Sequence, residues 1–302
     1  MCEPEVPAFA AETASAAAAY REEGLVFPVR GVLAPSELDA ADALLSALVA
    51  GRPPGLAPED LLNLHWTVRE VLDLCRAPRA LALAREMLGT PDVSVFTSRI
   101  LCKLPGGRAI PWHQDSLYWP LVPPPGLLAP ASSADAQDGT LPIVASLWLS
   151  FDDLAEDMGV MEVLPFSAAP ATRGRSAREL VIDKGGDTKA YDNFNLVLDA
   201  TRFDTSGARR VVVARGEAEW HSAFVVHRSE ANSSQRRRLV WIVRYVPTGT
   251  AVAAGRRETF GADYPLVPVC GRGADAAAAA EPCRPALERY APCFGAASAV
   301  KK

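Results

Sequence analysis

Histidine is scarce in this chain: only His65, His113, His221 and His227 occur among 302 residues. Any metal centre or acid–base site that uses imidazole must draw on these four positions. Basic residues are outnumbered, with 31 Lys and Arg against 36 Asp and Glu and a net charge of −5. That balance argues against a general affinity for nucleic acid or an anionic membrane. No nucleic-acid, membrane or protein partner is expected. No apolar run is long enough to span a bilayer. Met1-Cys2-Glu3 shows no basic region ahead of an apolar core, so a cytoplasmic location is expected. Six cysteines, at 2, 75, 102, 270, 283 and 293, lack the close paired spacing of zinc sites and read as free thiols in a reducing compartment.

The residues present divide the chain by texture, within what reads as one domain, 1–302. Residues 8 to 23 are rich in Ala and Glu and predict a helix ending at Gly24. "LVFPVRGVL" predicts a short strand and turn. Ser36 with Asp39, and Thr67 with Glu70, resemble capping boxes opening further helices. Pro78 is placed to start "PRALALAREML", which Gly89 ends. The first ninety residues are therefore expected to be mostly helical, with His65 and Trp66 packed in a linker.

From Val93 the sequence turns to alternating β-branched and aromatic residues. Strands are predicted in "VSVFTSRILCKL", "IVASLWLSF", "VMEVLPF", "RRVVVARG", "AEWHSAFVVH" and "RRRLVWIVRYV". Helices followed by many short strands indicate an antiparallel β-core, over about residues 91–250, with helices outside it. Two irregular insertions interrupt this core, at 122–141 and 168–207, as surface or binding loops. An Ala/Gly-rich tail, 251–302, follows, with Ala274–Ala280 read as solvent-exposed.

The chemistry centres on Pro111-Trp112-His113-Gln114-Asp115. On a strand, side chains two apart share a face, so His113 and Asp115 can converge on one ion. The alternative is an ordinary hydrogen-bonded pair at a strand end. More than a hundred residues later, "GEAEWHSAFVVHRSEANSSQRRRLVWIVRYV" places His227 at the end of an apolar strand, with Ser229, Asn232 and a cluster of arginines after it. Two histidines and one carboxylate make a facial triad that leaves coordination positions open, as in non-haem Fe(II) oxygenases. His221, six residues before His227, would share its face on an unbulged strand and is the rival ligand. Arg236, Arg237 and Arg238 compete for an anion-binding role, and pleat alternation alone does not separate Arg236 from Arg238.

These features resemble the phytanoyl-CoA dioxygenase family of Fe(II)/2-oxoglutarate oxygenases over roughly residues 20 to 250. The matching residues are Lys103 with Pro105-Gly106-Gly107, Trp112-His113-Gln114-Asp115 with Tyr118 and Trp119, Trp148 in "SLWLSFDD", and His227-x-Ser229 with Asn232 and Arg238. The family places an arginine eleven residues after the distal histidine, the position of Arg238 here. The resemblance implies a double-stranded β-helix, the jelly-roll or cupin-like barrel. It makes His113, Asp115 and His227 the iron ligands, and Arg238 the partner of the 2-oxoglutarate C5 carboxylate, with Ser229 and Trp148 beside it. Gln114, Tyr118 and Trp119 become substrate-side residues.

The implied cofactors are Fe(II), 2-oxoglutarate and dioxygen, and the implied reaction hydroxylates an unactivated C–H of a small-molecule substrate. Related halogenases carry a small residue in place of this carboxylate, so Asp115 favours hydroxylation. Two alternatives are a cupin-type metalloenzyme that needs no 2-oxoglutarate and a catalytically silent jelly-roll binding protein. The chain departs from the family after "SLWLSFDD": Met158-Gly159 stands where most members have an Asn-Gly turn, and Pro165-Phe166-Ser167-Ala168 where they have Pro-Gly-Ser-His.

Overall fold

The computed structural model describes residues 7–124, 144–174, 176–177, 180–183, 196–252 and 264–275. Its helices are α1 (Pro7–Glu23), α2 (Pro35–Ala50), α3 (Arg69–Leu74) and α4 (Pro78–Leu88). Its strands are β1 (Leu25–Val29), β2 (Leu61–Leu62), β3 (Val93–Lys103), β4 (Ile110–Gln114), β5 (Leu121–Val122), β6 (Ala145–Ser150), β7 (Met161–Leu164) and β8 (Val181–Asp183). The chain continues with β9 (Leu196–Leu198), β10 (Arg209–Arg210), β11 (Ala218–Ser222), β12 (Val226–Ser229), β13 (Arg238–Pro247), β14 (Ala251–Val252) and β15 (Val267–Cys270).

The helix stops follow backbone chemistry. Gly24 and Gly89 end α1 and α4 at φ of 76° and 67°, a left-handed conformation that side chains resist. The starts differ from expectation. Ala34 caps α2, and Glu37 rather than Asp39 reaches back to accept its N–H at 2.7 Å. α3 begins after Val68 with no side-chain cap, so Thr67 and Glu70 form no box.

Two antiparallel sheets make a jelly roll whose wall is open rather than closed into a barrel. The large sheet runs β1-β11-β6-β13-β3-β15, with β2 also on β3; the small sheet runs β10-β7-β12-β4. Register assigns the large sheet's two faces. Arg238 pairs with Lys103, Ile242 with Arg99 and Trp148, and Trp148 with Glu219, so these side chains share the inner face. The alternate residues Leu147, Leu149, Trp220, Leu239, Trp241, Val243 and Tyr245 turn outward and pack with Leu38, Leu45, Leu83 and Met87 of the helices. Trp220 and Trp241 are fully buried there. Burying a large apolar side chain contributes about 1.5–3 kcal/mol, so this helix–sheet layer is the main source of cohesion.

Three expectations change. "AEWHSAFVVH" is not one strand: β11 belongs to the large sheet and β12 to the small one, with a turn in which Val225 N–H donates to Ser222 O. The stretch 168–207 contains a β8–β9 ladder as well as irregular chain; residues 184–195 lie outside the described residues, as does most of 122–141. The tail is not all peripheral, because β15 extends the large sheet beside β3. Ala276–Ala280 lie outside the described residues. Among the described residues, no helix is long and apolar enough to cross a membrane.

Candidate metal centre and anion pocket

The small sheet brings His113 and His227 together. They are register partners on β4 and β12, with ring centroids 4.1 Å apart. Asp115 lies just beyond β4, as the first residue of a 3₁₀ turn. Simple strand alternation therefore does not place it; the turn carries its carboxylate to within 3.8 Å of His113 Nε2. One donor atom from each of His113, Asp115 and His227 lies within 4.8 Å of the others, and all three residues are buried.

Proton positions suit a cation. His113 Nδ1 lies 2.9 Å from Pro111 O, and His227 Nδ1 lies 3.0 Å from Val225 O. A carbonyl only accepts, so each Nδ1 carries the proton and each Nε2 presents a lone pair. Burial lowers both imidazole pKa values and keeps the rings neutral. Burial works against Asp115 ionising, but Arg244, His221, His227 and His113 outweigh it and hold the carboxyl well below the usual range. Two neutral imidazoles and one carboxylate are the donor set that a divalent transition ion takes.

His221 is set up differently. Its Nδ1 lies 2.8 Å from Glu219 Oε2 and its Nε2 3.9 Å from Asp115 Oδ2. Burial opposes its charge, yet those carboxylates raise its pKa to about 9. His221 is not among the three residues whose donor atoms converge, although its ring centroid lies 4.9 Å from that of His227.

The same pocket reaches a buried cation. It is lined by Leu101, His113, Trp148, His227, Ser229 and Arg238 among others. Arg238 is 1% exposed. Its Nη1 donates to Gly159 O, its guanidinium sits 5.6 Å from the Trp148 ring, and Nε has no partner among the described residues. Burial, with the Arg99 charge adding to it, lowers its pKa to about 9. A buried guanidinium with a free edge is built for an anion.

Lys103 stands beside it, fully buried, donating to Ser229 Oγ at 2.8 Å and to Glu230 O at 2.6 Å. Burial and then Arg238 push its pKa down to about 6. Because Ser229 Oγ accepts from Lys103, the serine's own proton remains free to donate. The competing arginines turn elsewhere. Arg237 pairs with Asp42 at 2.8 Å and ties α2 to the sheet, while Arg236 is exposed near Asp157.

Asn232 holds this corner. Its Nδ2 donates to Lys103 O and Arg236 O at 2.9 and 2.7 Å, while Oδ1 accepts from Ser234. Gly159 is required in the turn that replaces the family's Asn-Gly: φ is 67°, and a Cβ would lie 2.7 Å from the Ala231 carbonyl carbon.

On the expected substrate side, Tyr118 stands edge-on to His113 with centroids 6.3 Å apart. Trp119 packs on Phe96, and Arg244 lies 5.0 Å over its ring. The Gln114 amide donates to Phe224 O at 2.6 Å and accepts from Ala177 N at 2.7 Å, fastening Ala177 to the sheet. His65 is a core histidine whose Nδ1 lies 2.8 Å from Ser98 Oγ. Sequence reading missed Arg244 and Glu219 at the site. Their signal, an inward position on a strand flanked by hydrophobic residues, is legible only once register is known.

A jelly roll with a His/Asp/His donor set and an adjacent buried arginine defines the class of non-haem iron, 2-oxoglutarate-dependent oxygenases. The phytanoyl-CoA dioxygenase (PhyH) family model matches residues 20–240, and the chain belongs to that family. It is 29% identical over 180 residues to an L-proline trans-4-hydroxylase of Streptomyces griseoviridis, a match spanning 57% of this chain and 61% of that protein. In fold it is similar to the non-heme monooxygenase ThoJ, with TM-score 0.62 and 20% identity over 91% of this chain and 96% of that one. It is also similar to the epimerase SnoN, solved with Fe3+, alpha ketoglutarate and nogalamycin RO, with TM-score 0.56 and 22% identity over 80% and 86% of the two chains.

Proposed function

We propose that this protein is an Fe(II)/2-oxoglutarate-dependent dioxygenase that hydroxylates a small-molecule substrate at an unactivated C–H. The observation that carries the reading is the convergence, in one pocket, of three ionised or lone-pair donors and an unsaturated buried guanidinium. His113, Asp115 and His227 would hold the metal. Iron bound there supplies the oxidising chemistry, using dioxygen and the decarboxylation of 2-oxoglutarate to succinate.

The chain's own residues bind and orient. Arg238 takes the C5 carboxylate on its free edge, and its charge is stabilised as the anion arrives. Ser229, fixed as an acceptor by Lys103, turns its hydroxyl proton to the same carboxylate. Trp148 walls the pocket by stacking on the guanidinium. Leu101, Ile110, Met161 and Ile242 complete an apolar lining that excludes water and strengthens these contacts. Gln114, Tyr118 and Trp119 are not among the residues lining this pocket, so a substrate-side role for them rests on the family resemblance. A cupin-type enzyme that needs no 2-oxoglutarate, or a silent binding module, would leave the Arg238 charge buried with no anion to compensate it.

The test is an anaerobic mixture of purified protein, Fe(II) and 2-oxoglutarate, followed for a weak visible charge-transfer band and then, on admitting air, for succinate. Absence of both with iron bound overturns the proposal. A substrate screen scored by stimulated 2-oxoglutarate turnover starts from L-proline and nogalamycin-type metabolites, the compounds tied to the named relatives.

A further inference from the structure

Glu219 and His221 form a buried ionisable pair outside the donor set, with His221 on the wall of the pocket. They are 0% and 2% exposed, and burying two ionisable groups is costly unless something compensates them. Alternation along β11 puts both on the inner face, and register sets His221 beside Ser146, which in turn lies beside Arg244. His221 and Arg244 thus flank Ser146 and reach the same atom. Asp115 Oδ2 is 3.4 Å from Arg244 Nε and 3.9 Å from His221 Nε2, while Oδ1 faces His113 Nε2 at 3.8 Å. Although fully buried, His221 Nε2 has no hydrogen-bond partner among the described residues.

Resting on the reading of His113, Asp115 and His227 as metal ligands, we propose that His221, oriented by Glu219, is a positioning residue. Together with Arg244 it restrains Oδ2 of Asp115, so that the carboxylate presents Oδ1 alone to the metal. A carboxylate free to rotate can chelate through both oxygens and fill an extra coordination position. A restrained one leaves that position for exogenous ligands, which this class of chemistry requires. Glu219 fixes the imidazole plane, and its burial prevents water from competing for His221.

The test is Co(II) titration of the full-length protein under anaerobic conditions, followed by visible absorption, which needs no turnover. His221→Asn keeps a contact to Glu219 but is too short to reach Asp115, and it is expected to weaken Co(II) binding roughly 10- to 100-fold and to alter the Co(II) band pattern. His221→Gln, whose amide extends to the Nε2 position, is expected to return affinity to within about threefold of wild type and to restore the spectrum. His221→Leu with Glu219→Gln removes both charges and is expected to behave as His221→Asn. A merely structural role would move thermal unfolding of the metal-free protein but not separate Asn from Gln. If both the Asn and Leu variants bind Co(II) within twofold of wild type with unchanged spectra, the proposal is overturned. If His113→Ala leaves Co(II) affinity unchanged, the ligand assignment itself falls, and the positioning role falls with it.

Discussion

Replacing Arg238 with lysine keeps the charge and removes the planar fork, isolating what the guanidinium contributes. Arg238 opens β13 with 1% exposure, donates through Nη1 to Gly159 O, and leaves its Nε edge unpaired among the described residues. A carboxylate on that edge accepts two parallel bonds, of which lysine supplies one. Losing a hydrogen bond to a charged group costs about 1.5–3 kcal/mol, which is roughly 10- to 150-fold in affinity. The KM for 2-oxoglutarate, measured by succinate release, is expected to rise by that factor, while kcat at saturation stays within about twofold because the metal donors are untouched.

Arg238→Met supplies the complementary arm. The fall of the guanidinium pKa from 12.5 to about 9, at about 1.4 kcal/mol per pH unit, sets an upper limit of roughly 5 kcal/mol on the cost of keeping this cation buried without its anion. The methionine variant should therefore unfold at an equal or higher temperature without ligand, yet fail to bind 2-oxoglutarate. An unchanged KM in Arg238→Lys, or a kcat collapse at constant KM, would refute the assignment of the anion pocket.

Three further outcomes test the wider account. Burial lowers Lys103 from 10.5 to about 6, so the unfolded chain binds the extra proton between those values, and ligand-free stability should rise with pH from about 6 to 10. Urea midpoints across that range should flatten in Lys103→Met. His65, lowered from 6.5 to about 3 by burial, stays neutral in the folded state while the unfolded chain protonates, so stability is lost as pH falls below 6.5. Between pH 6.5 and 4.5 this residue alone should remove about 2–3 kcal/mol, a loss that His65→Gln should abolish in denaturant titrations. Trp241→Ala should cost about 3–5 kcal/mol in the same assay, since Trp241 is fully buried where the helices meet the large sheet, with little effect on metal binding.

Much of the architecture was legible because its signals are local. Glycine at a helix end and proline at a helix start act on the residue's own backbone, so the ends of α1 and α4 fell where the residues indicated. The cap of α2 is not legible because Glu37 and Asp39 both stand near the start, and only the geometry shows which reaches Ala34. The strand ending at His227 is shorter than its sequence indicates, because "AEWHSAFVVH" stays apolar through a turn that crosses from one sheet to the other. Composition carries no mark of that crossing, since both sheets bury the segment.

The sequence by itself determined the inventory: four histidines, one His-x-Asp pair, and an arginine at a set interval after the last histidine. The His-x-Asp interval covers a strand end and a tight turn, while the interval from His227 to Arg238 crosses from β12 of the small sheet to β13 of the large one. Tertiary structure alone decided the rest: which of His221 and His227 joins the converging donors, which of three arginines turns inward, and that His221 and Arg244 border Asp115. These depend on pairing between strands distant in the chain, and on hydrogen-bond partners such as Pro111 O, Val225 O and Glu219 that set each imidazole's proton. Each partner stands two residues before its histidine, yet only the folded backbone turns the ring toward it.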